Sequence, residues 1–467
     1  LEQQTAEDPI LVVGAGISGL SAAYTLSQAG ANVVVVDSRS RAGGVMETTT
    51  LDGCLVEGGP DSYLSQKPWA TALVRKLGLE QELIGSNDDR RKTFIVRDQQ
   101  LVPMPDGLLM MVPTKILPMV GTRLLSWPTK LRMGLELLRR KPAKPRDGDV
   151  SVAAFFRDHY GQEAVDYLAE PLLAGVYGGD PERMSAPSVL GRFVELENKH
   201  GSLSLGVLRE RKAAATTHAP TPIFRSLRQG MGSFAEALVR AIGPQHLRLG
   251  QSVLALEPQR GGYHVSFADG ASLQASQVIL ALPAYAAASL LESMHPLSAK
   301  LLGQVPYHSS ATVALTFDLA QFQRPPEGFG FLVPQRERQT LVAATYVQNK
   351  FPHRTPEGKV LLRCFVGRAA EANPGLRDDS SLVDAVLADL RRLIGLVAQP
   401  RHCAVFRWPR AMAQYEVGHA ALVRELRRQV SAIPGLHLAG NAFEGIGIPD
   451  CVRVGTQCAE AALGKRS

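Results

Sequence analysis

Ile10-Leu11-Val12-Val13-Gly14-Ala15-Gly16-Ile17-Ser18-Gly19 and, beyond it, Val33-Val34-Val35-Val36-Asp37 decide how the chain begins to fold. Four apolar residues run straight into a turn of three glycines. Leu20, Ala23, Tyr24 and Leu26 then recur at helical spacing, and Gly30 ends the helix before the valine run. The order is strand, tight turn, helix, strand. Gly14 permits the turn, Gly16 leaves no side chain to block a pyrophosphate, and Gly19 lets helix and strand pack closely. The amides of Ile17, Ser18 and Gly19 open a helix N-terminus whose dipole favours an anion. Asp37, with Ser38 beside it, ends the second strand where an acid accepts hydrogen bonds from ribose hydroxyls. These residues predict a dinucleotide site.

Working outward, Arg41-Ala42-Gly43-Gly44 and Val56-Glu57-Gly58-Gly59-Pro60-Asp61 add a second glycine-rich element. A nicotinamide enzyme has no need of it. Arg41, Gly43 and Gly44, just past the ribose acid, resemble the extended signature of amine-oxidase-type flavoproteins, which lines the pyrophosphate and ribityl chain; Gly58, Gly59, Pro60 and Asp61 extend it. Later segments complete such a domain. Leu247-Arg248-Leu249 and Val253-Leu254-Ala255-Leu256 read as short strands. Residues 263–267 alternate with period two, and Val278-Ile279-Leu280-Ala281-Leu282 returns as a buried strand. In the resembled superfamily the backbone at Val253 contacts adenine. Near the end, residues 436–440 form a strand reaching Gly440 and Asn441, and Gly447-Ile448-Pro449 opens a helix. Aimed at the isoalloxazine pyrimidine, its N-terminus would stabilise the charge gained on reduction. The predicted cofactor is FAD.

The 467 residues are 45% hydrophobic and 20% charged, a globular composition long enough for several domains and incompatible with a small binding module. A net charge of +7 favours acidic partners. Its basic residues come in short clusters, Arg90-Arg91-Lys92, Arg139-Arg140-Lys141 with Lys144 and Arg146, and Arg209-Arg211-Lys212, which read as solvated surface. Without aromatic-flanked basic motifs or metal knuckles, no nucleic-acid partner is expected. Cys54, Cys364, Cys403, Cys451 and Cys458 form no C-x-x-C pair, which fits a reducing, cytoplasmic setting. No metal site is expected, because the 11 histidines never fall at H-x-x-H or H-x-x-x-H spacing. The longest uncharged stretch, 271–291, holds Gln274, Gln277 and Pro283, so no transmembrane segment is expected, and the first eight residues carry no signal-peptide block. Ser18 does not stand in a G-x-S-x-G elbow, which argues against a hydrolase.

The expected fold class is α/β: a Rossmann-like FAD-binding domain of the p-hydroxybenzoate-hydroxylase-like type, a mixed-sheet substrate domain, and a helical membrane-associating insertion. The FAD domain comprises 9–88, 222–290 and 430–467; the insertion is 89–184; the substrate domain is 185–221 and 291–429. Within the insertion, residues 107–113, 116–120, 124–127 and 131–138 are apolar with Lys115, Arg123, Lys130 and Arg132 interspersed. They read as helices lying in an anionic membrane interface, which makes the protein peripheral on the cytoplasmic membrane face.

Three segments are the most specific: Glu170-Pro171-Leu172-Leu173-Ala174-Gly175-Val176-Tyr177-Gly178-Gly179-Asp180-Pro181, Gly328-Phe329-Gly330-Phe331-Leu332-Val333-Pro334 and Gly445-Ile446-Gly447-Ile448-Pro449-Asp450-Cys451. With them the chain resembles the oxygen-dependent protoporphyrinogen oxidases, including the coproporphyrinogen oxidases of some bacteria, over about residues 9–464. The resemblance implies six-electron oxidation of a porphyrinogen by FAD, dioxygen reoxidising the flavin with release of hydrogen peroxide. It assigns no side-chain acid or base; the backbone around Gly175 adjoins the macrocycle. Phe329, Gly330 and Leu332 fall where the family packs its substrate, and Phe365 falls where an aromatic ring stacks on a pyrrole. Ala344 stands in place of a larger apolar residue. Thr93 replaces an arginine that pairs with a propionate, which Arg91, Lys92 or Arg97 would have to substitute. Protoporphyrinogen IX is the favoured substrate, being the commoner family activity, and coproporphyrinogen III the alternative. An amine oxidase or carotenoid desaturase would share the nucleotide motifs but leave residues 175–181 unexplained. The resemblance further implies a homodimer and a chelatase or later haem enzyme receiving the product.

Overall fold

In the computed structural model, which describes residues 8–140, 148–214, 222–367 and 378–464, the apolar runs at the chain's beginning, middle and end meet in one parallel sheet. Its order is Leu247–Leu249, Val33–Asp37, Ile10–Val13, Gln277–Leu280 and Leu436–Leu438. Ile10 aligns with both Val33 and Gln277. The central strands are apolar on both faces because helices cover one side and an antiparallel meander the other. Ile17–Gln28, Gly232–Ile242 and Ile448–Ala462 pack against Val12 and Val35. The meander of Val253–Gln259, Gly262–Phe267 and Ser272–Ala275 packs Val265 and Phe267 against Leu11 and Val36. The period-two reading of residues 263–267 matches their alternating burial.

A second, seven-stranded sheet stands across from the first. Its order is His402–Ala413, Tyr307–Asp318, Lys359–Val366, Leu341–Tyr346, Gly330–Leu332, Thr93–Arg97 and Gln100–Pro103. One face is closed by the amphipathic helix Asp379–Ile394, whose Leu382, Val386, Leu390 and Leu393 meet Val313, Leu362 and Cys364. The other face turns toward the nucleotide domain. Residues 93–103 were assigned to the insertion at 89–184. They are the outer strands of this sheet instead, because Phe94 and Val96 alternate into its core.

The helical lobe begins later than expected and extends further. It includes Val152–Tyr160, Glu170–Tyr177, Ala186–His200 and Leu203–Ala214, so much of the stretch 185–221 belongs to it. Residues 107–113 are not a helix. They form a hairpin of Leu108–Leu109 and Val112–Pro113, with Met110 at φ 53° in the turn. Lys141, Lys144 and Arg146 lie outside the described residues. Among the described residues no helix is long and apolar enough to cross a membrane.

Glu163 ties this lobe to the sheet. Its carboxylate accepts from Arg97 Nη1 at 2.8 Å, Ser126 N at 2.9 Å and Ser126 Oγ at 2.6 Å. Burial alone would raise its pKa, but the Ser126 hydroxyl, together with Thr129, the Ser126 amide and Arg97, outweighs that and holds it at about 2 against an ordinary 4.5. A depressed folded-state pKa stabilises the fold fully above 4.5 and ceases to do so as the pH falls toward about 2. Glu163→Gln is therefore expected to cost roughly 1–3 kcal/mol at neutral pH and to flatten the acid limb of stability in urea melts. An unchanged acid limb would contradict this role.

Candidate functional site

The glycine turn is built by backbone contacts that side chains would prevent. Gly14 sits at φ 108°, its N–H donates to Val36 O at 2.7 Å, and a Cβ there would collide with Ala281 O. Gly19 packs onto the Gly14 carbonyl. Gly43 N donates to Ala15 O at 2.8 Å, folding the second glycine element over the first and bringing Gly44 against Gly16. At Gly16 itself the space a Cβ would take is open, with nothing within 4 Å. Gly16 caps helix Ile17–Gln28 without a side-chain acceptor, and the first turn has no acid. Free donors beside open space suit an anionic pyrophosphate, so the residues present fit the predicted dinucleotide.

The ribose end is equally ordered. Asp37 accepts from Ala15 N at 2.7 Å and Arg39 N at 2.8 Å, leaving further lone pairs on both oxygens. Ser38 is exposed beside it. Gln251 N donates to Asp37 O at 3.0 Å, which puts the start of the Val253 strand next to the ribose acid. Arg41 faces its own loop: it donates to Met46 O at 2.9 Å and Gly44 O at 2.8 Å and pairs with Glu47 at 2.9 Å. Its structural work is to hold the Gly43-Gly44 turn.

A glycine that sequence reasoning missed sets the far end. Gly455 lies where a Cβ would collide with Ser18 O, so the first turn of Ile17–Gln28 rests on the middle of Ile448–Ala462. The N-terminus of the latter, capped by Gly447 with Ile448 and Pro449 in its first turn, then lies roughly 12 Å further along at 1.5 Å per residue. It too lacks a side-chain cap. The preceding loop is strapped by Tyr415, whose hydroxyl donates to Asn441 O at 2.8 Å and accepts from Gly445 N at 2.7 Å. Gly440, at φ 130°, turns the chain into that loop.

Gly58, Gly59, Pro60 and Asp61 bridge to the second sheet. Trp408 Nε1 donates to Gly58 O at 2.9 Å, and Arg363 donates to Gly59 O. A Cβ on Gly58 would come within 2.5 Å of Phe406. The sequence reading made Asp61 a cofactor ligand, and the structure gives it other partners: Lys350 Nζ at 2.9 Å and Arg363 Nη1 at 3.3 Å. Burial would raise its pKa, yet Lys350 and then Arg363 hold it well below the usual carboxylate range. Glu57 pairs with Arg354 at 3.1 Å, both about 1% exposed. Arg363, flanked by apolar residues within strand Lys359–Val366, is a visible signal of a buried partner; Lys350 and Arg354 give none.

Strand register sorts the expected substrate residues. Leu332 aligns with Ala343, and Ala343 with Phe365, on the face turned toward the nucleotide domain. Phe329 and Gly330 precede Leu332, and Gly175 reaches it from its helix, its virtual Cβ 3.5 Å from Leu332 Cδ2. Ala344 does not join them. It aligns with Phe331 and Cys364 and packs under helix Asp379–Ile394, and it is Ala343 that shares a face with Leu332 and Phe365. The one-residue difference arises at the bulge between Leu341 and Ala343, which no periodicity reveals. Thr93 aligns with Gly330 at the sheet's outer side. Arg97 was expected to stand in for the missing arginine; its guanidinium is committed to Glu163, to Leu124 O and to the face of Tyr167 at 4.6 Å.

A nucleotide-type sheet with two helix N-termini that lack side-chain caps, the second carrying Asp450 in its first turn, faces a second sheet, an arrangement that suits a flavin oxidoreductase. Residues 17–463 match the family of flavin containing amine oxidoreductases. The coproporphyrinogen III oxidase of Bacillus subtilis (strain 168) is 34% identical over 464 residues, 97% of each chain. The chloroplastic protoporphyrinogen oxidase of Nicotiana tabacum is 30% identical over 98% of this chain and 86% of its own. A crystal structure from Exiguobacterium sp. 255-15, provisionally named a protoporphyrinogen oxidase, superposes with a TM-score of 0.87 at 32% identity, covering 98% and 99%. The chain belongs to the flavin-containing amine oxidoreductases and, within them, to the porphyrinogen oxidases, with FAD as its cofactor.

Because a Cβ at Gly16 meets no protein atom, Gly16→Val is expected to fold with near-wild-type circular dichroism and lose bound flavin. A yellow, fully loaded variant would place the pyrophosphate elsewhere.

Proposed function

We propose that this chain oxidises coproporphyrinogen III to coproporphyrin III, with dioxygen as terminal acceptor and hydrogen peroxide as co-product. What carries the reading is the state of the two positions expected to hold a propionate. Thr93 has only a hydroxyl, and Arg97 is spent on Glu163. A single buried bidentate arginine is what a two-carboxylate substrate uses for orientation. A substrate with four carboxylates can instead be held at its rim, where Arg90, Arg91 and Lys92 are exposed immediately before Thr93. The bacterial relative at 34% identity, named for coproporphyrinogen, supports the same choice over the favoured protoporphyrinogen IX. The chloroplastic relative keeps protoporphyrinogen IX as the second reading.

Bound FAD would supply the two-electron acceptor, and the protein positions and shields. Phe365 offers an aromatic face to a pyrrole ring. Leu332 and Ala343 form the apolar floor, and Gly175 leaves room for the macrocycle edge. The apolar wall excludes water, which protects a reactive meso carbon during three successive hydride removals.

We further propose that the lobe rests on an anionic membrane surface. Leu117, Trp127, Leu131, Leu135 and Leu138 are 84%, 68%, 66%, 56% and 76% exposed. On helix Trp127–Leu135 the residues 127, 131 and 135 share one face, opposite buried Thr129 and Met133. Lys115, Arg123 and Arg132 surround them in solvent, and Lys130 lies 4.7 Å over the Trp127 ring.

Offered the two porphyrinogens separately in air, the holoenzyme is expected to show at least a tenfold higher kcat/KM for coproporphyrinogen III by porphyrin fluorescence. A preference for protoporphyrinogen IX would reverse the substrate reading. Phe365→Ala is expected to raise KM about tenfold with flavin content unchanged, consistent with the ~1–3 kcal/mol of a lost stacking contact. Unchanged kinetics would remove it from the pocket. Flotation with anionic vesicles at low salt is expected to carry the protein upward, and Leu131→Glu with Leu135→Glu to abolish it. A protein that stays in the dense fraction would leave the lobe without a membrane role.

A further inference from the structure

Five ionisable side chains meet where the Gly58-Gly59 loop touches the second sheet, and their charges do not balance. Lys350 donates to both oxygens of Asp61 at 3.0 and 2.9 Å and to Ser62 Oγ at 3.1 Å, the three-donor pattern of an ammonium. Arg354 and Arg363 are guanidinium ions at any accessible pH. Asp61 is held ionised by Lys350 and Arg363. Glu57 receives donors only: Met231 N at 2.8 Å, the Thr48 hydroxyl at 2.6 Å and Arg354 at 3.1 Å. Three cations therefore face two carboxylates in ion-pair contact, leaving one positive charge in excess among the described residues. Arg354 and Arg363 are 1% and 2% exposed, and the Nε atoms of both are buried without a hydrogen-bond partner among the described residues. A buried, uncompensated cation is costly and is kept where an anion answers it.

Protein contacts link the cluster to the glycine turn that would hold the cofactor. From Gly16 the cleft passes Gly44 and Val45; Val45 O abuts Gly59, Gly59 O is held by Arg363, and Arg363 lies 5.1 Å from the ring of Phe365. The oxidised isoalloxazine is neutral. When the porphyrinogen C–H bond breaks and its two electrons and proton arrive as hydride to form an N5–H bond, the reduced ring carries one negative charge. We infer that the excess charge of the Glu57, Asp61, Lys350, Arg354 and Arg363 cluster compensates the anionic reduced flavin and so raises its reduction potential. In a water-poor site such a charge acts with little screening. The inference goes beyond the choice of porphyrinogen and does not depend on it.

The test is the midpoint potential of the holoenzyme's FAD, measured by dye equilibration in wild type and in charge variants of opposite sign. Arg363→Gln keeps a donor for Gly59 O and removes a cation; it is expected to lower the reduced-to-oxidised ratio at fixed potential at least tenfold, about 30 mV for a two-electron couple. Lys350→Gln, at the more exposed rim of the cluster, is expected to move it the same way. Asp61→Asn adds to the excess and is expected to move it oppositely. A folding defect would not produce shifts of opposite sign. The wild-type protein gives an independent reading, since its reduced flavin is expected to keep the anionic absorbance on acidification past the point where free reduced flavin protonates. Shifts of one sign in all variants, or unchanged potentials accompanied only by weaker FAD retention, would overturn the inference; the latter would assign the charge to the pyrophosphate. Protonation at the free-flavin pH would overturn it as well.

Discussion

Arg363, in the middle of strand Lys359–Val366, grips the Gly59 carbonyl and the Asp61 carboxylate and so helps to fix the protein's two sheets against each other. The nucleotide domain and the seven-stranded sheet each have a core of their own and share smaller apolar contacts. They meet through an apolar cluster of Cys54 and Val56 with Ala314 and Leu361, and polar contacts fix the alignment: Arg363 to Gly59, Trp408 to Gly58, Lys350 to Asp61 and Arg354 to Glu57. Buried charge pairs add little net stability compared with apolar contacts, but they are intolerant of misalignment. A redox cofactor sandwiched between two domains needs that intolerance, because hydride transfer fails if donor and acceptor separate by about an ångström.

The nucleotide half was legible because its physics is local. Gly14, Gly16 and Gly19 are spaced by the turn they build, and Asp37 follows at the length of one helix and one strand. The alternation at residues 263–267 and the apolar runs at residues 278–282 and 436–440 announced strands that distant chain segments then assembled. The second half was legible only as strands. The bulge between Leu341 and Ala343 sets the facing of the residues after it, so Ala343 rather than Ala344 shares a face with Leu332 and Phe365. The partners of Asp61 lie about 300 residues on and those of Arg97 in another lobe, and sequence spacing holds no record of either. The last two strands of the sheet, Thr93–Arg97 and Gln100–Pro103, fall within the stretch read as the insertion because a short apolar run reads equally as either element.

The lobe and the sheet divide the labour of substrate handling. The Gly175 helix belongs to the lobe, yet it closes on Leu332 of the sheet, and Glu163 with Arg97 holds the two together. The exposed apolar face of the same lobe lies on the outside. A porphyrinogen, puckered at its four sp3 meso carbons and apolar apart from its carboxylates, is the kind of substrate that an aromatic ring and aliphatic side chains on one sheet face could receive.

The most direct test of this account is anaerobic mixing of the oxidised holoenzyme with coproporphyrinogen III, followed at the flavin absorbance. The flavin is expected to bleach within the time of one turnover and to recover when dioxygen is admitted. A flavin that remains oxidised while saturated with porphyrinogen would contradict it, because the macrocycle would then not meet the cofactor at the wall formed by Leu332, Ala343 and Phe365.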